Sequence, residues 1–156
     1  MNAAFSLHLF ATIFMTGVIW IVQVLHYPMF ADVWPAAFPG YAQEHAQRIS
    51  VVVVPAMLVE LGCALLLALD RRPEVGPRWM GGVGLALLLV IWGSTFLVQV
   101  PLHAALRSGF DAELHRQLVA TNWVRTLAWT ARAGLVSFWL LDLLTRARPA
   151  IRGSVG

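Results

Sequence analysis

Four long apolar runs dominate the chain, near Ala4–Tyr27, Ile49–Leu69, Trp79–Val100 and Asn122–Leu144. Each reaches the roughly 20 residues that a helix needs to cross a hydrocarbon core about 30 Å thick. The runs are continuous rather than alternating, which argues against spanning strands, and lipid admits only helices or closed barrels. The pattern predicts an all-α fold, an integral membrane antiparallel four-helix bundle over residues 1–145. A cytoplasmic tail with little order is expected over 146–156. The first run is read as a retained anchor. No Lys or Arg precedes it, and it exceeds the roughly 7–15 apolar residues of a signal-peptide core.

Polar and turn-forming residues punctuate the runs. Pro28 should end the first helix, since proline biases its predecessor away from helical geometry. The loops 28–48 and 101–121 are expected on one side. Trp34, Phe38 and Tyr41 are assigned to an aromatic belt at the membrane surface, and so is Tyr27. The second helix should begin near Gln43, with Glu44 and Arg48 four residues apart as an ion pair. Pro55 inside the second run is tolerated in membrane helices. Gly81, Gly82 and Gly84 predict close helix packing. Ser108 and Gly109 read as a turn, and Asp111 as the N-cap of the last helix.

A faint repeat joins the two halves. One helix ends IVQVLHYP and another LVQVPLHA, so Gln23 matches Gln99, and His26 matches His103 with a slip of one. His45 and His115 follow, then Arg48 and Arg125. A repeat of this kind implies two hairpins of like orientation about an axis along the membrane normal.

Composition sharpens the membrane reading. Apolar residues make up 59% and charged residues 12%, against about 25% charged in a soluble domain. The net charge of +3 comes from Arg alone, with no Lys. Arg71, Arg72 and Arg78 occupy one short loop, and Arg146, Arg148 and Arg152 the tail. By the positive-inside rule both termini are cytoplasmic in a bacterial inner membrane. This charge describes topology and not nucleic-acid binding. Cys63, the single cysteine, permits no disulfide within the chain and is read as a core residue.

Candidate chemistry gathers where the apolar pattern breaks. Glu60 and Arg132 are charges at membrane depth, roughly 14–18 Å below the outer helix ends at 1.5 Å per residue, where they need a partner. His26, His45, His103 and His115 all fall near the outer face. Imidazole suits transition metals and also general bases, and no diagnostic metal spacing is present. Asn122 and Trp129 share a helix line with His115. Arg48, Arg125 and Arg132 offer bidentate guanidinium bonds. Gln23 and Gln99 complete the polar set. His8, with no evident polar neighbour, is read as structural.

Pro101 with His103, and Trp123 with Arg125 and Thr126, resemble motifs of the DUF1772 group, small four-helix membrane proteins related to anthrone oxygenases. The resemblance implies O2-dependent oxidation of flat, electron-rich aromatics, with no firmly assigned cofactor.

The expected function is that of a membrane-embedded, oxygenase-like oxidoreductase. It acts on a lipophilic aromatic or quinone-like molecule that enters from the bilayer into a polar pocket near the outer face. His103 or His26 takes a proton, Arg125 and Arg132 stabilise the developing oxyanion, and Glu60 orients Arg132. Gln23, Gln99, Arg48, Asn122 and Trp129 contact substrate. The alternative is a non-enzymatic protein that binds haem or a transition metal through His26, His45, His103 and His115, as an electron carrier or accessory subunit. A third reading is a structural subunit whose polar groups merely pair. Expected partners are the lipid bilayer and the lipophilic small molecule, with an oligomer or a larger membrane complex left open.

Overall fold

The chain is seen in a computed structural model that describes residues 3–70 and 76–152, with side chains to residue 146. It is a four-helix bundle, all-helical among the described residues. The first span comprises α1 (Ala3–Ile21), a π-helical turn at Val22–His26 and a 3-10 stretch at Pro28–Asp32. The second is α2 (Phe38–Leu69), which runs through Pro55 as one helix. The third comprises α3 (Arg78–Ser94), a second π turn at Thr95–Gln99 and α4 (Val100–Leu106). The fourth is α5 (Ala112–Arg152). All four spans are long and apolar enough to cross a membrane.

The two π turns share a cause. Each stands just before a proline, Pro28 or Pro101. Proline lacks the N–H of an α-helical bond, and its ring crowds the carbonyl four residues back. The wider turn moves that carbonyl aside. The Tyr27 amide bonds the Val22 carbonyl at 2.9 Å, and the Val100 amide bonds Thr95 in the same way. Gln23 and Gln99, matched in the sequence repeat, are both carried on these turns and both buried.

The spans close into a ring. α1 packs on α2 and α5, and α3 packs on the same two helices. Gly81 lets α3 approach α2, because a Cβ there would lie 3.0 Å from the Ala68 Cα, the small-residue contact the glycines predict. Two apolar clusters fill the interior. One is built around Met15, Leu88, Ile91 and Trp129, the other around Phe5, Leu67, Met80 and Trp139. Outside, Phe10, Leu25, Val51, Leu66, Leu97 and Leu127 are exposed. An apolar exterior of this kind is what lipid accepts and water does not.

Several expectations change. α2 starts at Phe38, ahead of the expected Gln43, and the third span runs past Val100 through α4 to Leu106, whereas α5 starts at Ala112 as expected. Phe38 is not a belt residue. It is fully buried, edge-on to Phe30 and Phe110, and Trp34 alone of the assigned trio is strongly exposed. The tail is helical through Arg152. Arg71 and Arg72, and the side chains of Arg148 and Arg152, lie outside the described residues. Asp111 caps α5 as expected, its Oδ1 accepting the Leu114 amide at 2.8 Å. Arg48 pairs with Glu44 on an exposed face.

Candidate functional site

The buried polar groups form two levels. At the deeper level, α2 presents Glu60 to α1 and α5. The Arg132 Nε donates to Glu60 at 3.0 Å, with both side chains essentially without exposure. Thr12 donates to the same carboxylate at 2.8 Å and the Trp129 indole at 3.0 Å. A further Arg132 nitrogen donates to the Gly84 carbonyl. Both carboxylate oxygens thus have donors, which a buried charge requires, while one Arg132 nitrogen and the His8 Nδ1 are buried without a hydrogen-bond partner. His8 lies against the same arginine, beside a void of about 10 Å³ that both line. Thr12, four residues on along the same helix face, is the one sign of this placement in the sequence.

The second level belongs to the π turns. Gln23 accepts from Asn122 at 2.9 Å and donates to the Val119 carbonyl at 3.2 Å. Asn122 in turn accepts from the Arg125 Nε at 2.9 Å. The same guanidinium donates to the Tyr27 hydroxyl at 3.1 Å, to Gln99 at 3.3 Å and to Thr95 at 3.4 Å. Gln99 donates to Thr121 at 2.8 Å. Tyr27 and His103 are hydrogen-bonded at 2.8 Å. Because the tyrosine oxygen accepts from Arg125, its proton is free to point at the His103 Nε2. Tyr27 is 4% exposed and belongs to this network, not to a surface belt.

A cavity of about 320 Å³ opens beside this level, between α2 and the third span. Its polar end holds Arg125, Tyr27, Gln99, His103 and Thr95. Its apolar walls include Met15, Ile49, Val53, Met57 and Trp129. Val54, Phe96 and Val100 line it and are also exposed on the lipid-facing surface, so the mouth is lateral. A second cavity, about 460 Å³, lies between α1 and α2 and is lined by His26, His45, Tyr41, Glu44 and Arg48.

The residues singled out in the sequence therefore divide. Arg125, Gln99, His103 and Trp129 line the lateral cavity, and Gln23 and Asn122 stand behind Arg125. Glu60 and Arg132 lie outside its lining, and His26 and Arg48 face the second cavity. Three of the four histidines pack together, with the His45 ring centroid 4.5 Å from that of His26 and 5.5 Å from that of His103. His26 and His45 bond each other at 2.7 Å, His115 donates to the Tyr27 carbonyl at 2.8 Å, and His103 is held by Tyr27. Among the described residues no three His, Cys, Asp or Glu side chains group as a metal site. Beyond the expected set, the structure adds Tyr27, Thr95, Thr12 and His8.

Comparison with family models, with curated proteins and with solved structures finds no match in any of the three.

Proposed function

We propose that the protein is a membrane-embedded oxidoreductase that acts on a flat, lipophilic aromatic molecule with an acidic proton, of the phenol or anthrone type, in the lateral cavity. One observation carries this reading. A ligand-sized apolar slot opens toward lipid and ends on a buried guanidinium beside a hydrogen-bonded Tyr27–His103 pair. Pockets of such size with a few convergent polar groups are the usual small-molecule sites.

In this mechanism the substrate's acidic proton passes to His103 through the Tyr27 hydroxyl. The charge left on the substrate oxygen develops against Arg125, whose orientation Asn122 and Gln99 fix in advance, so stabilisation needs no rearrangement. The reaction class that the anthrone-oxygenase resemblance implies converts a ring methylene and one O2 into a ring carbonyl and one water. O2 is the four-electron oxidant, one of its oxygen atoms entering the carbonyl and the other leaving as water with the two methylene hydrogens. The chain's own residues supply binding, deprotonation and exclusion of water. Arg132 and Glu60 serve as the buried pair that holds Trp129 against the cavity wall. The setting belonging to this proposal is a bacterial inner membrane, with Arg78 and the C-terminal arginines on the cytoplasmic side and the lateral cavity nearer the outer face.

The test uses the full chain in lipid nanodiscs with anthrone, following O2 uptake and anthraquinone absorbance. Uptake well above empty nanodiscs is expected, and Arg125→Gln should slow it roughly 10²–10³-fold, as loss of an oxyanion donor does. Uptake equal to that of empty nanodiscs rejects the reading.

A further inference from the structure

We infer that the lateral cavity holds its ligand as a monoanion, so the substrate class is an amphiphilic acid (a phenol, an enol or a carboxylic acid) that rests in the site as its conjugate base. This rests on the proposed function for the location of the site and deepens it by fixing the ligand's charge.

The argument is one of charge balance. The deeper level is neutral, with Glu60 against Arg132. The second cavity carries Glu44 beside Arg48. The lateral cavity has cations in its lining and no acid, and its buried cation has no carboxylate partner among the described residues. Arg107 and Arg125 both line it, and no Asp or Glu does. Arg107 is exposed and bonds Gln43 at 3.3 Å, so solvent and lipid headgroups can compensate it. Arg125 is 8% exposed, and its hydrogen-bond acceptors are neutral oxygens of Asn122, Gln99, Tyr27 and Thr95. Neutral acceptors satisfy N–H groups but leave the net charge in place. A lone charge buried away from water is costly, and a bound anion lowers that cost.

A second feature agrees. The Trp92 Nε1 is buried and without a hydrogen-bond partner, and Trp92 lines the same cavity. An indole N–H only donates, so Trp92 adds a further donor, and no acidic acceptor, to the residues around the cavity. A head that only accepts and carries negative charge suits this lining better than an alcohol, which is neutral and brings a donor of its own.

The experiment compares two flat probes of nearly equal shape, 9-anthracenecarboxylate and 9-anthracenemethanol, by quenching of tryptophan fluorescence in the detergent-purified full chain. Wild type is expected to bind the carboxylate at least tenfold more tightly. Arg125→Lys should keep the preference, Arg125→Gln should bring it within threefold of parity, and Arg48→Gln, on the other cavity, should leave it unchanged. Equal or tighter binding of the alcohol to wild type overturns the inference, as does an undiminished preference in Arg125→Gln or binding of neither probe. If Arg125→Gln fails to fold, the wild-type ratio and the Arg125→Lys value still decide. Carboxylate preference without anthrone oxidation removes the oxidoreductase reading and leaves this one standing. Anthrone oxidation with alcohol preference does the reverse.

Discussion

Two guanidiniums on α5, seven residues apart, meet opposite fates. Arg132 finds a carboxylate and is locked between Glu60 and Gly84. Arg125 finds only neutral oxygens and borders a void. The first arrangement is structural. Removing one member of a buried pair strands the other, at a cost of about 3–5 kcal/mol, whereas removing both is far milder. Arg132→Leu should therefore lower the midpoint of detergent-induced unfolding sharply, and adding Glu60→Leu should restore at least half of the loss. A double variant no more stable than the single would contradict this. The Glu60–Arg132 pair was legible in the sequence, because two charges in apolar runs at similar depth had few other choices. The parts played by Tyr27 and His8 were not. An aromatic at a helix end and a histidine in an apolar run look the same whether they face lipid or a neighbour, and only the packing of other spans decides.

Among the helices, the informative features are the π turns and the glycine contact. In an α-helix, deleting one residue rotates everything beyond it by about 100°. A π turn already contains one residue more than the α-helix needs. Deleting the exposed Leu97 inside Thr95–Gln99 should then yield a folded protein, while deleting the equally lipid-facing Leu89 inside α3 should not; yields of monodisperse protein from size-exclusion chromatography would separate the two. At the α2–α3 contact, Gly81→Val should cost about 1–3 kcal/mol through overpacking against Ala68. Gly82→Val, with open space around it, should be near neutral in the same unfolding assay. The spans themselves were readable from hydropathy to within several residues. The outer extension of the last helix from Ala112 and that of the second from Gln43 were readable too. The first residues of α2 were not, because Phe38–Ala42 with its Pro39 and Gly40 reads as loop and becomes helix as Phe38 and Ala42 pack inward.

Taken whole, the molecule is a ring of four spans in which the first and third run one way and the second and fourth the other. The turn at Trp34 and the cap at Asp111 should face one side of the membrane, and Arg78 the other. With Cys63 replaced by Ala, single cysteines at positions 34 and 111 should react with an impermeant maleimide from the same side, and one at 78 only from the opposite side. The fold class was open to sequence reasoning because lipid imposes length and apolarity on every span. The site was half open to it. Sequence marked which polar residues lie deep, but which of them share a cavity depends on rotations of whole helices that periodicity does not encode.

The sideways mouth rimmed by Val54, Phe96 and Val100 has a kinetic corollary. A catalyst loaded through such a gap samples its reactant in two dimensions. Its rate should follow the reactant's mole fraction in phospholipid, falling when vesicles are diluted with more lipid at constant bulk concentration and hardly changing when only buffer is added.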